Sequence, residues 1–409
     1  MVHLLFIFGT RPEAIKLCPL IRRLSTSPEN FSVKVCVTAQ HREMLDQMLA
    51  IFSVTPDYDL DLMRPRQTLA ALTAGILTSL DPVLTAERPD GVVVQGDTTT
   101  TLAAALAAFY RGIPVIHVEA GLRTGDTTRP FPEEMNRLVT ARLTALHLAP
   151  TPRAAEALKA EGIDPETIFV TGNTGIDAVL YVRDGLRSGA LAAPSWPWLD
   201  PARRLILVTS HRRENFGPGF ENVMCALTSV AARPDVQIAF PVHRNPLVAE
   251  AAHGLLGKLP NIKLLDPLPY VAFVDLMLRC HLIVTDSGGI QEEAPSLGKP
   301  VLVLRERTER PEAVEAGTVK LVGTGRKQIQ TEIARLLDDP AEYARRSSVH
   351  NPYGDGQAGR WIAEILSRTD VLTRPKVHSA TAPASPLPSA ASAARPASES
   401  EAAIKRTET

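Results

Sequence analysis

Short runs of Val, Ile and Leu recur along the chain at 4–8, 33–38, 91–94, 115–118, 146–149 and 168–170, and amphipathic helical stretches separate most of them. Strands that are apolar on both faces, alternating with helices, are the pattern of a parallel sheet covered on both sides. The first half of the chain therefore reads as a doubly wound α/β domain, residues 1–189. Across 190–204 the pattern breaks into Ala-Ala-Pro-Ser-Trp-Pro-Trp-Leu-Asp-Pro, a proline-punctuated linker. Alternation restarts at 205–208 and continues through 236–240, 262–265, 282–284, 301–304 and 319–322, giving a second α/β domain over 205–350. An amphipathic helix follows in 351–370, and its place after the second domain leaves open a return onto the first. From 371 to 409 Pro, Ala and Ser dominate and large apolar residues are scarce, so that tail is expected to be disordered.

In a doubly wound sheet the ligand lies beyond the carboxyl ends of the strands, so polar residues just after each apolar run are the candidates. They are Arg11, Asp97, Glu119, the run His211-Arg212-Arg213-Glu214-Asn215, the run His243-Arg244-Asn245, and Ser287-Gly288-Gly289. Two turns, Gly9-Thr10-Arg11-Pro12 and Asp286-Ser287-Gly288-Gly289, each follow an apolar run and open a helical pattern. Backbone N–H groups and the positive helix end there suit an anion, and Arg11 with Lys16 adds fixed charge. Two such turns across one cleft point to a nucleotide diphosphate.

Each candidate also has a plainer reading. Asp97 in isolation reads as the N-cap of a helix beginning at Thr98. Glu133 and Glu134 follow Pro132 at a helix start, where acids favour the dipole regardless of function. His117 and His243, alone, read as structural histidines. Glu119 has nothing local to cap and reads as a cleft-facing carboxylate, and Glu293, beside the Ser-Gly-Gly turn, reads as a ribose ligand. The string Gly354-Asp355-Gly356-Gln357-Ala358-Gly359 satisfies GxGxxG formally, but no strand precedes it and it opens no βαβ crossover, so no nicotinamide site is assigned.

Composition narrows the picture further. With 44 basic and 45 acidic residues the net charge is −1, so no global field recruits nucleic acid or an anionic membrane. Four scattered cysteines lack metal-ligand spacing and read as reduced residues, three of them in apolar stretches. No metal or cofactor is expected. The start lacks the features of a signal peptide and no apolar run was found to approach membrane-spanning length, which makes the expected location cytoplasmic.

Long strings then coincide with one family. FGTRPEAIK from Phe8, TAQHREMLDQ from Thr38, GDTTTTLAAALAAFYRGIPVIHVEAGLRTGD from Gly96, PEEMNRL from Pro132, TGNTGIDA from Thr171, SHRREN from Ser210, TDSGGIQEEAPSLGKPVLVLR from Thr285 and TERPEAVEAGT from Thr308 closely resemble the bacterial non-hydrolysing UDP-N-acetylglucosamine 2-epimerases. The resemblance covers about residues 1–368. It implies two Rossmann-like domains facing across a cleft in the glycosyltransferase-B manner, with a C-terminal helix returning to the first domain. It also implies reversible C2 epimerisation through elimination and re-addition of UDP, a product that feeds cell-surface polysaccharide, and a homodimer. By motif position Asp97, Glu119, Glu133 and His211 are implied as catalytic. Arg11, Lys16, Phe273, Ser287, Gly288, Gly289, Glu293 and Arg310 are implied around the nucleotide sugar. Activation by a second substrate molecule implies Gln40, Glu43, Arg66, Glu133, Arg212 and His243. Leu268 departs from members that carry glutamine near the uracil. A hydrolysing epimerase, a retaining glycosyltransferase and a catalytically silent nucleotide-sugar sensor stay open as alternatives on the same cleft.

Overall fold

The computed structural model describes residues 1–38, 42–64, 66–212, 217–243, 245–348 and 350–368, without the side chains of 42, 43 and 247. The expected tail from 371, Gln40, the Glu43 side chain, Arg213, Glu214, Asn215 and Arg244 lie outside these described residues.

In chain order the first lobe comprises β1 (Val2–Phe8), α1 (Arg11–Ser25), β2 (Phe31–Val37), α2 (Arg42–Phe52), β3 (Tyr58–Asp59), α3 (Leu69–Glu87) and β4 (Gly91–Gln95). It continues through α4 (Thr99–Tyr110), β5 (Val115–Val118), α5 (Glu133–Leu143), β6 (Leu146–Ala149), α6 (Pro152–Ala160), β7 (Ile168–Val170) and α7 (Thr174–Ser188). The second lobe runs β8 (Arg204–Thr209), α8 (Pro218–Ala231), β9 (Val236–Pro241), α9 (Pro246–Leu256), β10 (Ile262–Leu265), α10 (Tyr270–Arg279) and β11 (Leu282–Thr285). It closes with α11 (Gly288–Glu293), β12 (Val301–Val303), α12 (Pro311–Ala316), β13 (Val319–Leu321), α13 (Arg326–Asp338) and α14 (Pro340–Ser347), before α15 (Ala358–Arg368).

All strand pairs are parallel. The first sheet has the order β3-β2-β1-β4-β5-β6-β7 and the second β10-β9-β8-β11-β12-β13. Strand order therefore reverses between β1 and β4 in one sheet and between β8 and β11 in the other, and those two reversals define the crevices where a ligand can sit. Central strands are buried on both faces, Leu4 through Phe8 completely so, which is why they read as unbroken apolar runs.

Two elements were not legible. β3 is a two-residue edge strand, too short to form a pattern. α3 has apolar or small residues on nearly every face, which weakens its helical period. It also corrects the expectation about apolar runs: among the described residues it is one helix of 19 residues that is long and apolar enough to cross a membrane. Its stripe of Leu72, Ile76, Leu80, Val83 and Leu84 is instead buried in the first lobe, and Asp81 on its outer side pairs with Arg111.

Residues 189–203 connect the lobes without helix or strand. Trp196 anchors this stretch by donating its indole N–H to Asp275 at 2.6 Å. The loop before α15 crosses back, and Asp177 on α7 accepts the N–H groups of Ala358 and Gly359 at 3.2 and 2.9 Å. α15 then lies on α1 and α7 with Ile362 and Leu366 buried, so the final helix belongs to the first lobe. The glycine-rich string rejected as a dinucleotide site is this crossing loop. The four cysteines are free, three of them buried.

Candidate active site

Both strand-order reversals open onto one cleft of about 690 Å³. Arg11 follows β1, Asp97 follows β4, Glu119 follows β5, His211 follows β8 and Ser287 follows β11, and all five line it. Lys16, Glu133, Phe273, Gly289, Glu293, Arg310 and His243 line it as well.

The first turn is built by Glu13. Thr10 caps α1, and the Glu13 carboxylate accepts the N–H groups of Gly9 and Thr10 at 3.0 and 2.8 Å. Its other oxygen accepts the hydroxyls of Thr98 and Thr101 at 2.7 and 3.3 Å, fastening this turn to the loop that carries Asp97. Burial pushes the Glu13 carboxyl up, against those bonds. Gly9 is required by close approach, because a Cβ there would lie 2.0 Å from the Thr38 hydroxyl oxygen.

Asp97 does not cap α4: Thr98 does, through a bond from Thr101 N. The Asp97 carboxylate instead takes two bonds from Arg137, at 2.9 and 2.5 Å, while Asn136 donates to its backbone carbonyl at 2.8 Å. Arg137 also pairs with Glu134 at 2.9 Å, and Glu134 in turn accepts the N–H groups of Thr124 and Gly125, so Glu134 holds a loop. Glu133, one residue earlier, turns to the cleft, and its Oε2 is buried without a partner among the described residues.

Glu119 sits at φ 64°, a left-handed conformation that few residues other than glycine adopt and that here aims its side chain off the end of β5. It forms an ion pair with Lys16, which lies 3.4 Å from Glu292 as well. Glu292 is held by Arg310 at 2.6 Å and by Asn173 at 2.9 Å. Burial raises the Glu119 carboxyl above its ordinary range, and Lys16 offsets this only in part. Burial works against the Lys16 charge too, yet the two carboxylates outweigh it and its pKa rises. Glu292 is lowered, since Arg310 and Lys16 overcome its burial. The Lys16 ammonium therefore lies between two carboxylates on the cleft floor.

On the opposite wall Ser287 stands at the start of α11 with its hydroxyl unused for capping. Gly288 backs directly onto the Arg310 guanidinium, which a Cβ would meet at 2.6 Å. Tyr270 donates to Glu293 at 3.4 Å, and burial together with Glu292 pushes the Glu293 carboxyl up to about 8. Phe273 and Leu268 supply an apolar flank. His211 stacks on His243 with ring centres 5.6 Å apart. Of the expected second-site residues, His243 and Arg212 thus lie beside His211, whereas Arg66 is exposed and is not among the cleft-lining residues.

Sequence reasoning missed Glu13, Asn136, Arg137, Tyr270 and Asp286. Arg137 had a usable signal, since it falls on the face of Glu133 and Glu134 at helical spacing. Tyr270 and Asp286 had none beyond their neighbours in quoted strings. Cations contributed by both lobes and the N-terminal turn of α11 can stabilise a departing diphosphate, while the carboxylates between them can move a proton.

The family model described as UDP-N-acetylglucosamine 2-epimerase matches residues 22–367. The chain is 54% identical over 375 residues to the UDP-N-acetylglucosamine 2-epimerase of Escherichia coli K12, covering 90% of this chain and 100% of that protein. It is 52% identical over 364 residues to that of Bacillus subtilis 168, covering 88% and 93%. The fold is similar to the crystal structure of UDP-GlcNAc 2-epimerase from Neisseria meningitidis bound to UDP-GlcNAc, with TM-score 0.84, 46% identity and coverage of 90% and 100%. A likeness of fold alone, at TM-score 0.61 and 16% identity, links it to the glycotransferase of kitacinnamycin, in keeping with two Rossmann-like lobes of glycosyltransferase-B type.

Proposed function

The chain belongs to the UDP-N-acetylglucosamine 2-epimerase family, and from that premise we propose that it interconverts UDP-N-acetylglucosamine and UDP-N-acetylmannosamine at C2 without net hydrolysis. The observation that carries this reading is the cleft itself. Asp97, Glu119 and Glu133 line it together with the Ser287 turn, Arg310 and His211 from the other lobe.

The C2 hydrogen of the sugar has no carbonyl beside it in the ring, so direct proton removal is slow. Breakage of the C1–O bond sends its electron pair onto UDP and gives C1 oxocarbenium character. A carboxylate then takes the C2 proton, leaving a C1–C2 double bond and free UDP in the cleft. Reversal, with a UDP oxygen adding to C1 and a proton reaching C2 on the other face, yields the epimer. Arg11, Arg310 and the Ser287 turn are assigned to the diphosphate, the three carboxylates and His211 to proton transfer, and Glu293 to the ribose.

A homodimer fits the surface of the first lobe. α3, α4 and α5 lie side by side, and Phe109 and Tyr110 on α4 and Met135 on α5 are exposed, Tyr110 to 68%. Large exposed apolar side chains on neighbouring helices are the kind a partner subunit covers.

Proton NMR of the purified protein with UDP-N-acetylglucosamine in deuterated water tests the reaction. The expected result is UDP-N-acetylmannosamine with deuterium at C2 of both epimers. Epimer that retains the original hydrogen sinks the elimination route, and free N-acetylmannosamine with UDP as the products assigns the hydrolysing reaction instead.

A further inference from the structure

Asp286 directly follows β11 and is completely buried beneath the 210–212 segment. Its Oδ2 accepts the Ser210 hydroxyl at 2.9 Å and the N–H groups of His211 and Arg212 at 2.8 and 2.9 Å. Its Oδ1 lies 3.1 Å from Nδ1 of His211. Burial works against the charge, but the adjacent His211 ring and the two backbone donors outweigh it, and the carboxyl lies below its ordinary range.

An ionised carboxylate only accepts hydrogen bonds, so the ring nitrogen facing it must carry the proton. The other face of the problem is orientation: the stacked His243 ring fixes the plane of His211, which remains 39% exposed toward the cleft. We infer that Asp286 is a positioning residue that commits His211 to the Nδ1–H form, so that every hydrogen bond or proton His211 exchanges with the nucleotide sugar passes through Nε2. This rests on the reading of the cleft given above only in naming the ligand; the ring state itself is a property of the free protein.

A purely structural Asp286 would hold the 210–212 segment through Oδ2 and leave the ring indifferent. Asp286→Asn separates the two. The amide oxygen can still accept the backbone N–H groups, while the amide N–H₂ now faces Nδ1 as a donor and favours the opposite tautomer.

Two-bond ¹H–¹⁵N correlation spectra of the imidazole rings, with His211 assigned by loss of its signals in His211→Gln, read this directly. In the wild-type protein without ligand the expected pattern is a protonated Nδ1, and in Asp286→Asn a shift toward protonated Nε2. With it, kcat is expected to fall by at least ~10-fold while UDP affinity by calorimetry changes by less than about threefold. A wild-type His211 whose Nδ1 is unprotonated overturns the proposal without recourse to any variant. So does an Asp286→Asn protein with an unchanged ring pattern. Failure of the epimerase reading would leave the ring pattern intact, which keeps the two conclusions distinguishable.

Discussion

Glu119→Gln removes one charge from a floor that is balanced as built, with Lys16 and Arg310 against Glu119 and Glu292. Loss of one partner of a buried pair costs about 3–5 kcal/mol when the survivor is left alone. Lys16 is not left alone, because Glu292 remains 3.4 Å away. Glu119 is also held against its own burial, as its raised pKa shows, so deleting its charge relieves part of that strain. The net cost in stability is therefore set at about 1–2 kcal/mol, which thermal unfolding can resolve. Turnover should suffer far more. Removing a group that moves the C2 proton is expected to lower it by at least ~100-fold, equivalent to about 2.7 kcal/mol of barrier. UDP affinity moves the other way or not at all, since the variant leaves an extra positive charge near the diphosphate. NMR turnover in deuterated water, calorimetric titration with UDP and a melting curve on one preparation give all three numbers. Near-native turnover refutes the assignment of Glu119, and a loss of UDP affinity matching the loss of turnover shows that the cleft, not the chemistry, was damaged.

Arg11→Ala should weaken UDP binding by roughly tenfold or more, the worth of one charged hydrogen bond to phosphate, and unchanged calorimetric affinity removes Arg11 from the site. Glu293, raised from 4.5 to about 8, binds a proton on folding. Its stabilising contribution is complete below pH 4.5 and is lost as pH rises through 8, so the melting temperature should fall more steeply between pH 6 and 9 in the wild type than in Glu293→Gln; parallel curves refute this. Ala74→Glu places a charge on the exposed side of α3 and should shift the protein from dimer to monomer in light scattering, with a wild-type monomer at micromolar concentration counting against the interface.

The strands were legible because parallel strands buried on both faces carry unbroken apolar runs, and twelve of them fall within a residue or two of where the pattern put them. β3 escaped because two residues carry no period. Glu119 was legible as a cleft residue because nothing near it in sequence needed a carboxylate. The partners of Asp97 and Lys16 were not, for a common reason: Arg137 and Glu292, which hold these side chains, lie 40 and 276 positions away. Asp286 was hidden in the same way, its neighbours having been read for their glycines while its partners came from another strand.

The docking of α15 onto α1 and α7 has a consequence for synthesis. The first lobe reaches the end of α7 at Ser188, but the helix that covers this surface begins only at Ala358. At ordinary translation rates roughly ten to thirty seconds separate the two. During that interval the nascent lobe carries an uncovered apolar stripe where Ile362 and Leu366 will settle. A ribosome-bound chain stopped before Ala358 should thus bind hold-type chaperones, and the first lobe becomes protease-resistant only once Ala358–Arg368 has been made.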